Sequence, residues 1–392
     1  MHAGGASQPT PRDDPDRHPV AYCTNDTSGE KTVSETTLPI ESHHPDATHP
    51  DVGDSGYSKP PVICEPSHVP LVHVLRDGLI EGVHYGSVVV LAADGTVQFA
   101  AGDIDGAFYP RSAIKPLQAV GMLRAGLVLA DDLLALAAAS HSGEEFHLAG
   151  VHRILGDAGL GESDLRNARD LPFDPVVRDE WIAQRRPASR IAQNCSGKHA
   201  AMLATARRNG WSTADYADPH HPLQRAIAQT VEDLTGAPIA HVAVDGCGAP
   251  AYVVSLHGLT RAIARIAVAP PQTPEGQVAG AIRKHPDMLG GTRRDVSRLI
   301  KAVPGLVAKD GFEAVQVAAL PDGRAVGVKI SDGSVRARMP VTVAALALCG
   351  VDAATLAAFA DVPVTGGEKV VGGLRVTGEL AHRVATSKAG AA

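Results

Sequence analysis

The chain is poor in aromatic residues: Trp, Tyr and Phe make up only 4% of its 392 residues. Its core must therefore come mainly from Ala, Val and Leu, which a hydrophobic content of 44% supplies. Cysteine is scarce too. Five of them (Cys23, Cys64, Cys195, Cys247 and Cys349), odd in number and widely spread, argue against a secreted disulfide framework. No stretch reaches the ~18 uninterrupted apolar residues that a membrane span needs. Basic excess is missing as well: the formal charge is -7 at pH 7, so nothing points to nucleic acid or to an anionic membrane. The first sixty residues hold neither the apolar h-region of a signal peptide nor an Arg-rich amphipathic segment. The expectation is a soluble, cytoplasmic protein.

The charge is uneven. Residues 1–60 hold ten acidic residues, from Asp13 to Asp54, against only Arg12, Arg17, Lys31 and Lys59. That segment is rich in Pro, Ser, Thr, Asp and His and has almost no apolar periodicity. It cannot bury enough apolar surface to offset its ordering entropy, so residues 1–63 read as a disordered acidic tail. Residues 64–392 read as one catalytic domain. Within it, Ser87–Leu91 and Val97–Ala100 flank Ala92-Ala93-Asp94-Gly95, a hairpin signal. Val315–Ala319, Ala325–Ile330 and Ser334–Met339 are separated by two Asp-Gly turns and predict an antiparallel meander. Between them lie helical patterns at Ala113–Ala125, Asp132–Ala139, Leu148–Ala158, His199–Arg208, Leu223–Leu234, Ala251–Ile266 and Glu275–Lys284. Thr342–Leu348 and Ala353–Ala360 predict two more helices. The fold class is α+β, an antiparallel sheet flanked by helices, with a helical insertion over residues 113–300.

Chemistry concentrates in polar turns. Arg111-Ser112-Ala113-Ile114-Lys115-Pro116-Leu117-Gln118 places a serine and a lysine one helical turn apart. A hydroxyl is a poor nucleophile at neutral pH, and a neutral lysine within reach would activate it. Ser140-His141-Ser142-Gly143-Glu144 ends an Ala/Leu helix and offers a second hydroxyl. Asn194-Cys195-Ser196-Gly197-Lys198-His199 and Asp245-Gly246-Cys247-Gly248-Ala249-Pro250 each place a thiol in a Gly-containing turn that leads into a helix. Such helix entrances favour a thiolate. Two thiolates brought together can hold a soft cation such as zinc, with His199 or Lys198 as third ligand and water as fourth. Reactive or simply buried thiols fit the same spacing. Lys309 precedes a Gly turn, and becomes a second amine base only if that turn faces Ser112 and Ser140. The Gly-rich stretch His285–Thr292 reads as a binding loop or a helix stop.

Taken in order, these segments resemble the asparaginase II family of rhizobial-type L-asparaginases, from about Val69 to Ala360. The resemblance implies a fold similar to serine β-lactamases and glutaminases, assembled as a homodimer. It implies hydrolysis of L-asparagine to L-aspartate and ammonia. Ser112 with Lys115, and Ser140 with Lys309, would then form two Ser–Lys pairs. Cys195, Lys198 and Cys247 would hold zinc, structural or substrate-orienting, and Arg111, His141 and Asp245 would bind substrate. A glutaminase, another Ser–Lys amidohydrolase or a weakly active amino-acid-binding protein are the alternatives. A β-lactamase-like reaction is disfavoured, because Ser-Asp-Asn and Lys-Thr-Gly are both missing. One segment departs from the family pattern. Lys309-Asp310-Gly311-Phe312-Glu313-Ala314 ends in Ala where the family has Gly, and Ala does not reach positive φ freely.

Overall fold

The structure, a computed structural model, describes residues 21–25, 31–35 and 63–389. Contacts divide the chain into Met1–Pro66 and Ser67–Ala392. In the first unit β1 (Ala21–Asn25) pairs antiparallel with β2 (Lys31–Glu35) and parallel with β3 (Ile63–Cys64). The remainder of the stretch expected to be disordered lies outside the described residues.

The second unit is built on one antiparallel sheet. Its strands are β4 (Val69–Arg76), β5 (Leu79–Leu91), β6 (Val97–Ala101), β10 (Val307–Gly311), β11 (Val315–Ala319), β12 (Ala325–Ile330), β13 (Pro363–Gly366) and β14 (Lys369–Val376). Their order is β10-β11-β12-β5-β4-β14-β13, with β6 paired to β5. The hairpin at Ala92–Gly95 is present as expected, closed by Ala92 N–H to the Thr96 carbonyl. A small separate sheet joins β7 (Ala107–Phe108), β8 (His241–Val244) and β9 (Pro250–Ser255). Strands β11 and β12 are buried on nearly every residue, because helices cover both sides of them.

The helices are α1 (Lys115–Arg124), α2 (Asp131–Ala137), α3 (Glu145–Asp157), α4 (Pro175–Ala183), α5 (Ser196–Arg208), α6 (Pro222–Thr235) and α7 (Leu256–Val268). After them come α8 (Pro274–Lys284), α9 (Pro286–Leu289), α10 (Asp295–Ala302), α11 (Val335–Leu348), α12 (Ala353–Ala360) and α13 (Gly378–Ala389). Helices α1 to α3, α5, α6, α8 and α9 pack on one another as the expected helical layer, and α7 and α11 pack on the sheet. The mixed α+β architecture, an antiparallel sheet flanked by helices, is as expected. Small side chains set the spacing: a Cβ on Gly197 of α5 would lie 2.5 Å from the Leu136 carbonyl oxygen of α2. Only glycine allows that approach. Among the described residues no helix is long and apolar enough to cross a membrane.

Three local expectations are corrected. The meander runs one strand earlier, as β10-β11-β12, and Ser334–Met339 is the start of α11. Val335-Arg336-Ala337-Arg338-Met339 alternates like a strand. Yet α11 buries residues around its whole circumference, so no apolar stripe marks it as a helix. Secondly, Ala251–Ser255 belongs to β9, and the helix begins at Leu256. Cys247 therefore lies in the β8–β9 turn and not at a helix entrance, whereas Cys195 does cap α5. Thirdly, Ala314 does take positive φ (53°), as does Glu313 (63°), in the β10–β11 turn.

Candidate active site

Two segments bring Ser112 and Ser140 to one cleft. Ser112 lies in a 3₁₀ turn, Arg111–Ile114, that feeds α1. Arg111 enters this turn at φ 50°, a left-handed conformation costing about 1–2 kcal/mol in a residue with a Cβ. Ser140 follows α2 on a strap pinned from two sides. Its N–H donates to the Leu289 carbonyl, that of His141 to Asn194 and that of Ser142 to Gly290. Strand β10 approaches the Ser112 turn at Gly311, where a Cβ would lie 2.6 Å from the Pro110 carbonyl oxygen.

Both lysines converge on Ser140. Lys115 Nζ donates to Ser140 Oγ at 3.1 Å, to Cys195 Sγ at 3.1 Å and to the Ala139 carbonyl. Lys309 Nζ donates to the same Oγ at 3.2 Å, and to the Asp310 carboxylate and carbonyl, both at 2.7 Å. Among the described residues no hydrogen bond joins Ser112 to either lysine. Helical spacing predicted a Ser112–Lys115 contact. The Lys115 stem instead runs inward to the end of α2, where Ala139, Ser140 and Cys195 take its three N–H groups. Burial, with Lys115 and Arg294 nearby, pushes the Lys309 ammonium down to about 8, although Asp310 works against this. Asp310 itself, despite burial, is held well below the usual carboxylate range by Lys309, Arg294 and Arg338.

The two thiols form a second cluster behind Ser140. Cys195 and Cys247 are buried neighbours; their interaction, with burial, pushes Cys195 up to about 12, and the same interaction, against burial, holds Cys247 well below the usual thiol range. Lys198 Nζ donates to Cys247 Sγ at 3.3 Å. Burial works against the Lys198 charge, but Cys247, Cys195 and Asp245 outweigh it and raise its pKa. The arrangement is two neighbouring sulfurs, of which Cys247 carries a negative charge the more readily, beside the Lys198 amine. Among the described residues no three His, Cys, Asp or Glu side chains cluster as a metal site. Two neighbouring sulfurs with the Lys198 amine on Cys247 do fit a thiophilic cation with an open fourth position, once Lys198 gives up its proton.

Arg111 is tied to Asp245 at 2.8 Å, and its guanidinium stands 5.3 Å from the centre of the Phe312 ring. Burial alone would raise the Asp245 carboxyl, but Lys198 and Arg111 hold it below its ordinary value. His141 is fully buried, with Nε2 2.8 Å from Ser196 Oγ, and burial keeps its pKa well below the usual imidazole value. It stands behind the strap. His199 bonds through Nδ1 to Tyr216 OH at 2.8 Å, and its buried Nε2 has no hydrogen-bond partner among the described residues.

The cleft has a volume of about 710 Å³, with Ser112, Ser140 and Asn194 in its wall together with Phe312 and four arginines; Arg111, His141 and Asp245 are not part of that wall. Sequence reasoning missed Asn194, Asp310, Arg294 and Arg336. Asp310 directly follows Lys309, and its acidic side chain was the one available signal.

The family model described as L-asparaginase II matches residues 72–376. None of the curated proteins compared with the chain matches it. Among solved structures, a protein titled Mglu in its native form is 16% identical, with a TM-score of 0.29, over 68% of this chain and 63% of its own. The chain thus spans less than two thirds of that protein's length. A β-lactamase from Mycobacterium bovis is 13% identical with a TM-score of 0.29, over 64% of this chain and 88% of its own. EstCE1, a hydrolase with promiscuous acyltransferase activity, is 12% identical with a TM-score of 0.31, over 68% of this chain and 90% of its own. The fold assignment rests on the strand pairing given above.

Proposed function

The chain belongs to the L-asparaginase II family, and from that premise we propose that it is an amidohydrolase that cleaves L-asparagine to L-aspartate and ammonia by Ser–Lys acyl transfer. The observation that carries the mechanism is the convergence of Lys115 and Lys309 on one hydroxyl, that of Ser140. Ser140 Oγ attacks the side-chain carbonyl carbon, and Lys309, its amine poised near neutrality, takes the proton. Lys115 has its three N–H groups engaged by Ala139, Ser140 and Cys195, and holds the hydroxyl in place. The C–N bond breaks as the proton passes to the departing ammonia, and water then releases aspartate. Ser112 lines the same cleft as Ser140, where its hydroxyl would bond substrate or relay a proton.

Arg111 and Asp245 hold the amino-acid head group in this reading, a cation and an anion for a zwitterion. His141 acts only through Ser196 and Asn194, behind the strap. Cys195, Lys198 and Cys247 would hold zinc, whose charge would fix the two Gly turns and favour substrate orientation. The protein works as a homodimer, which light scattering tests independently. Ammonia release from L-asparagine, with L-glutamine as competitor substrate, tests the reaction. Turnover of asparagine that disappears in Ser140→Ala supports the assignment. Turnover of glutamine alone makes it a glutaminase, and turnover undiminished in Ser140→Ala rejects the Ser140 mechanism.

A further inference from the structure

Arg336, in the first turn of α11, belongs to the wall of the same cleft and is exposed. Its Nε donates to His84 Nε2 at 3.1 Å, and buried His84 in turn meets Asp332 Oδ2 through Nδ1 at 2.6 Å. Since Nε2 accepts, the imidazole proton is on Nδ1 and is donated to Asp332. The guanidinium is thus oriented from behind by a neutral ring and not neutralised by it. Among the described residues no carboxylate lies within ion-pair distance of Arg336, and its two terminal Nη groups have no hydrogen-bond partner. The other arginines of the wall are committed: Arg293 to Asp174, Arg294 to Asp310 and Arg338 to Asp295.

A guanidinium held by its Nε presents a planar fork that matches a carboxylate. The cleft, at about 710 Å³, has the capacity of sites that enclose drug-sized ligands, and asparagine leaves most of it empty. Val176 and Val335, both exposed, add apolar surface to the same wall. If the head group sits at Arg111 and Asp245, which are outside this wall, the departing amine points into it.

We propose that the enzyme also hydrolyses β-aspartyl amides of apolar amino acids, with the carboxylate of the departing amino acid on Arg336 and its side chain against Val176 and Val335. This rests on the acyl-transfer reading above. Ser140 Oγ bonds to the side-chain carbonyl carbon and the C–N bond breaks. The amino acid leaves with the serine's proton, and water cleaves the ester to aspartate while restoring the hydroxyl. Water is the only co-reactant.

The test compares β-aspartyl-leucine with β-aspartyl-leucinamide, in which a neutral amide replaces the carboxylate. Release of leucine or leucinamide is followed by chromatography, and the ratio of the two kcat/KM values is taken within each protein, so that any loss of folded enzyme cancels. The wild type should prefer the carboxylate about tenfold or more. Arg336→Ala should bring the ratio to about one, mainly through KM, and Arg336→Lys should restore part of it. His84→Ala should lower the ratio too, as a positioning residue. A wild-type ratio near one, a ratio that survives Arg336→Ala, or ammonia from asparagine without leucine from the conjugate overturns this proposal alone. Release of neither product overturns the acyl-transfer reading with it.

Discussion

Lys309 and Lys198 are both buried, yet their charges respond in opposite ways. Around Lys309 burial prevails: the amine sits at about 8, beside a hydroxyl and near two other cations. Around Lys198 the partners prevail: Cys247, Cys195 and Asp245 outweigh burial and raise the amine's pKa. Burial alone therefore does not assign a lysine's chemistry; the groups in contact with it do. The first lysine is suited to taking a proton, the second to neutralising a thiolate or, once deprotonated, to binding a metal. The same residue type serves two roles on either side of Ser140, and Lys115 bridges them by touching both Ser140 and Cys195.

The largest effect should come from the hydroxyl that defines the first side. Ser140→Ala is expected to cost about 10⁴-fold or more in kcat for ammonia release. Ser112→Ala should cost less, since neither lysine bonds to it. A greater loss in Ser112→Ala would move the nucleophile to Ser112 and reverse the two roles. Lys309→Met comes next, with a loss of about 10²–10⁴-fold, the typical worth of a general base. Wild-type kcat/KM should rise with pH along an acid limb near 8, and the variant should lack that limb.

The same shift carries a stability signature of known sign. The folded pKa of about 8 lies below the ordinary 10.5, so between these values the unfolded chain binds more protons than the folded one. This group's contribution to stability therefore rises with pH across that window and is level on either side. Urea titrations at about pH 7 and about pH 10 should show the rise in the wild type relative to Lys309→Met. Equal differences at the two values would mean that Lys309 is not displaced from its ordinary range.

The contrast between the two lysines was only partly legible in the sequence. Ser140, Cys195 and Cys247 stand in turns marked by Gly and polar neighbours, so they could be singled out individually. That Lys115 crosses to Ser140, and that Lys309 arrives at the same oxygen from 169 residues away, depends on the packing of β10 against the Ser112 turn. No local pattern encodes that approach. The fold divides similarly. The Ala92–Gly95 hairpin and the Ala-rich helices carry their own turn and periodicity signals. Tyr252-Val253-Val254-Ser255 runs into Leu256 with no Gly or Pro between them, so the change from strand to helix is marked only by Ser255, whose hydroxyl accepts from the Gly258 N–H as N-cap. In α11, period-two alternation and burial all round hide a helix that tertiary packing imposes.

Metal removal sharpens the other side of the comparison. If zinc sits on Cys195, Lys198 and Cys247, chelation should raise KM for asparagine by about tenfold while lowering kcat less, because the site lies behind the reacting hydroxyl. Atomic absorption should find the metal in the wild type and little of it in Cys195→Ser. An equal collapse of kcat at saturating substrate would make the thiol cluster part of the chemistry. Retention of metal in Cys195→Ser would put the ion elsewhere.

The smallest effect tests whether the two clusters are coupled through the β10–β11 turn. Phe312 is 56% exposed and lies under the Arg111 guanidinium, which Asp245 also holds at 2.8 Å. A cation–π contact at an exposed position is worth about 0.5–1 kcal/mol, so Phe312→Ala should raise KM for asparagine about two- to fivefold. The acid limb near pH 8 should stay where it is, because Lys309 is fixed by Asp310, Ser140 and strand pairing to β11, none of which uses the Phe312 ring. The neighbouring residues Glu313 and Ala314, both at positive φ, hold the turn in its present course without the ring. Displacement of the limb in Phe312→Ala would show that the turn does set the Lys309 amine. Head-group binding and proton transfer would then be one coupled unit instead of two neighbouring ones.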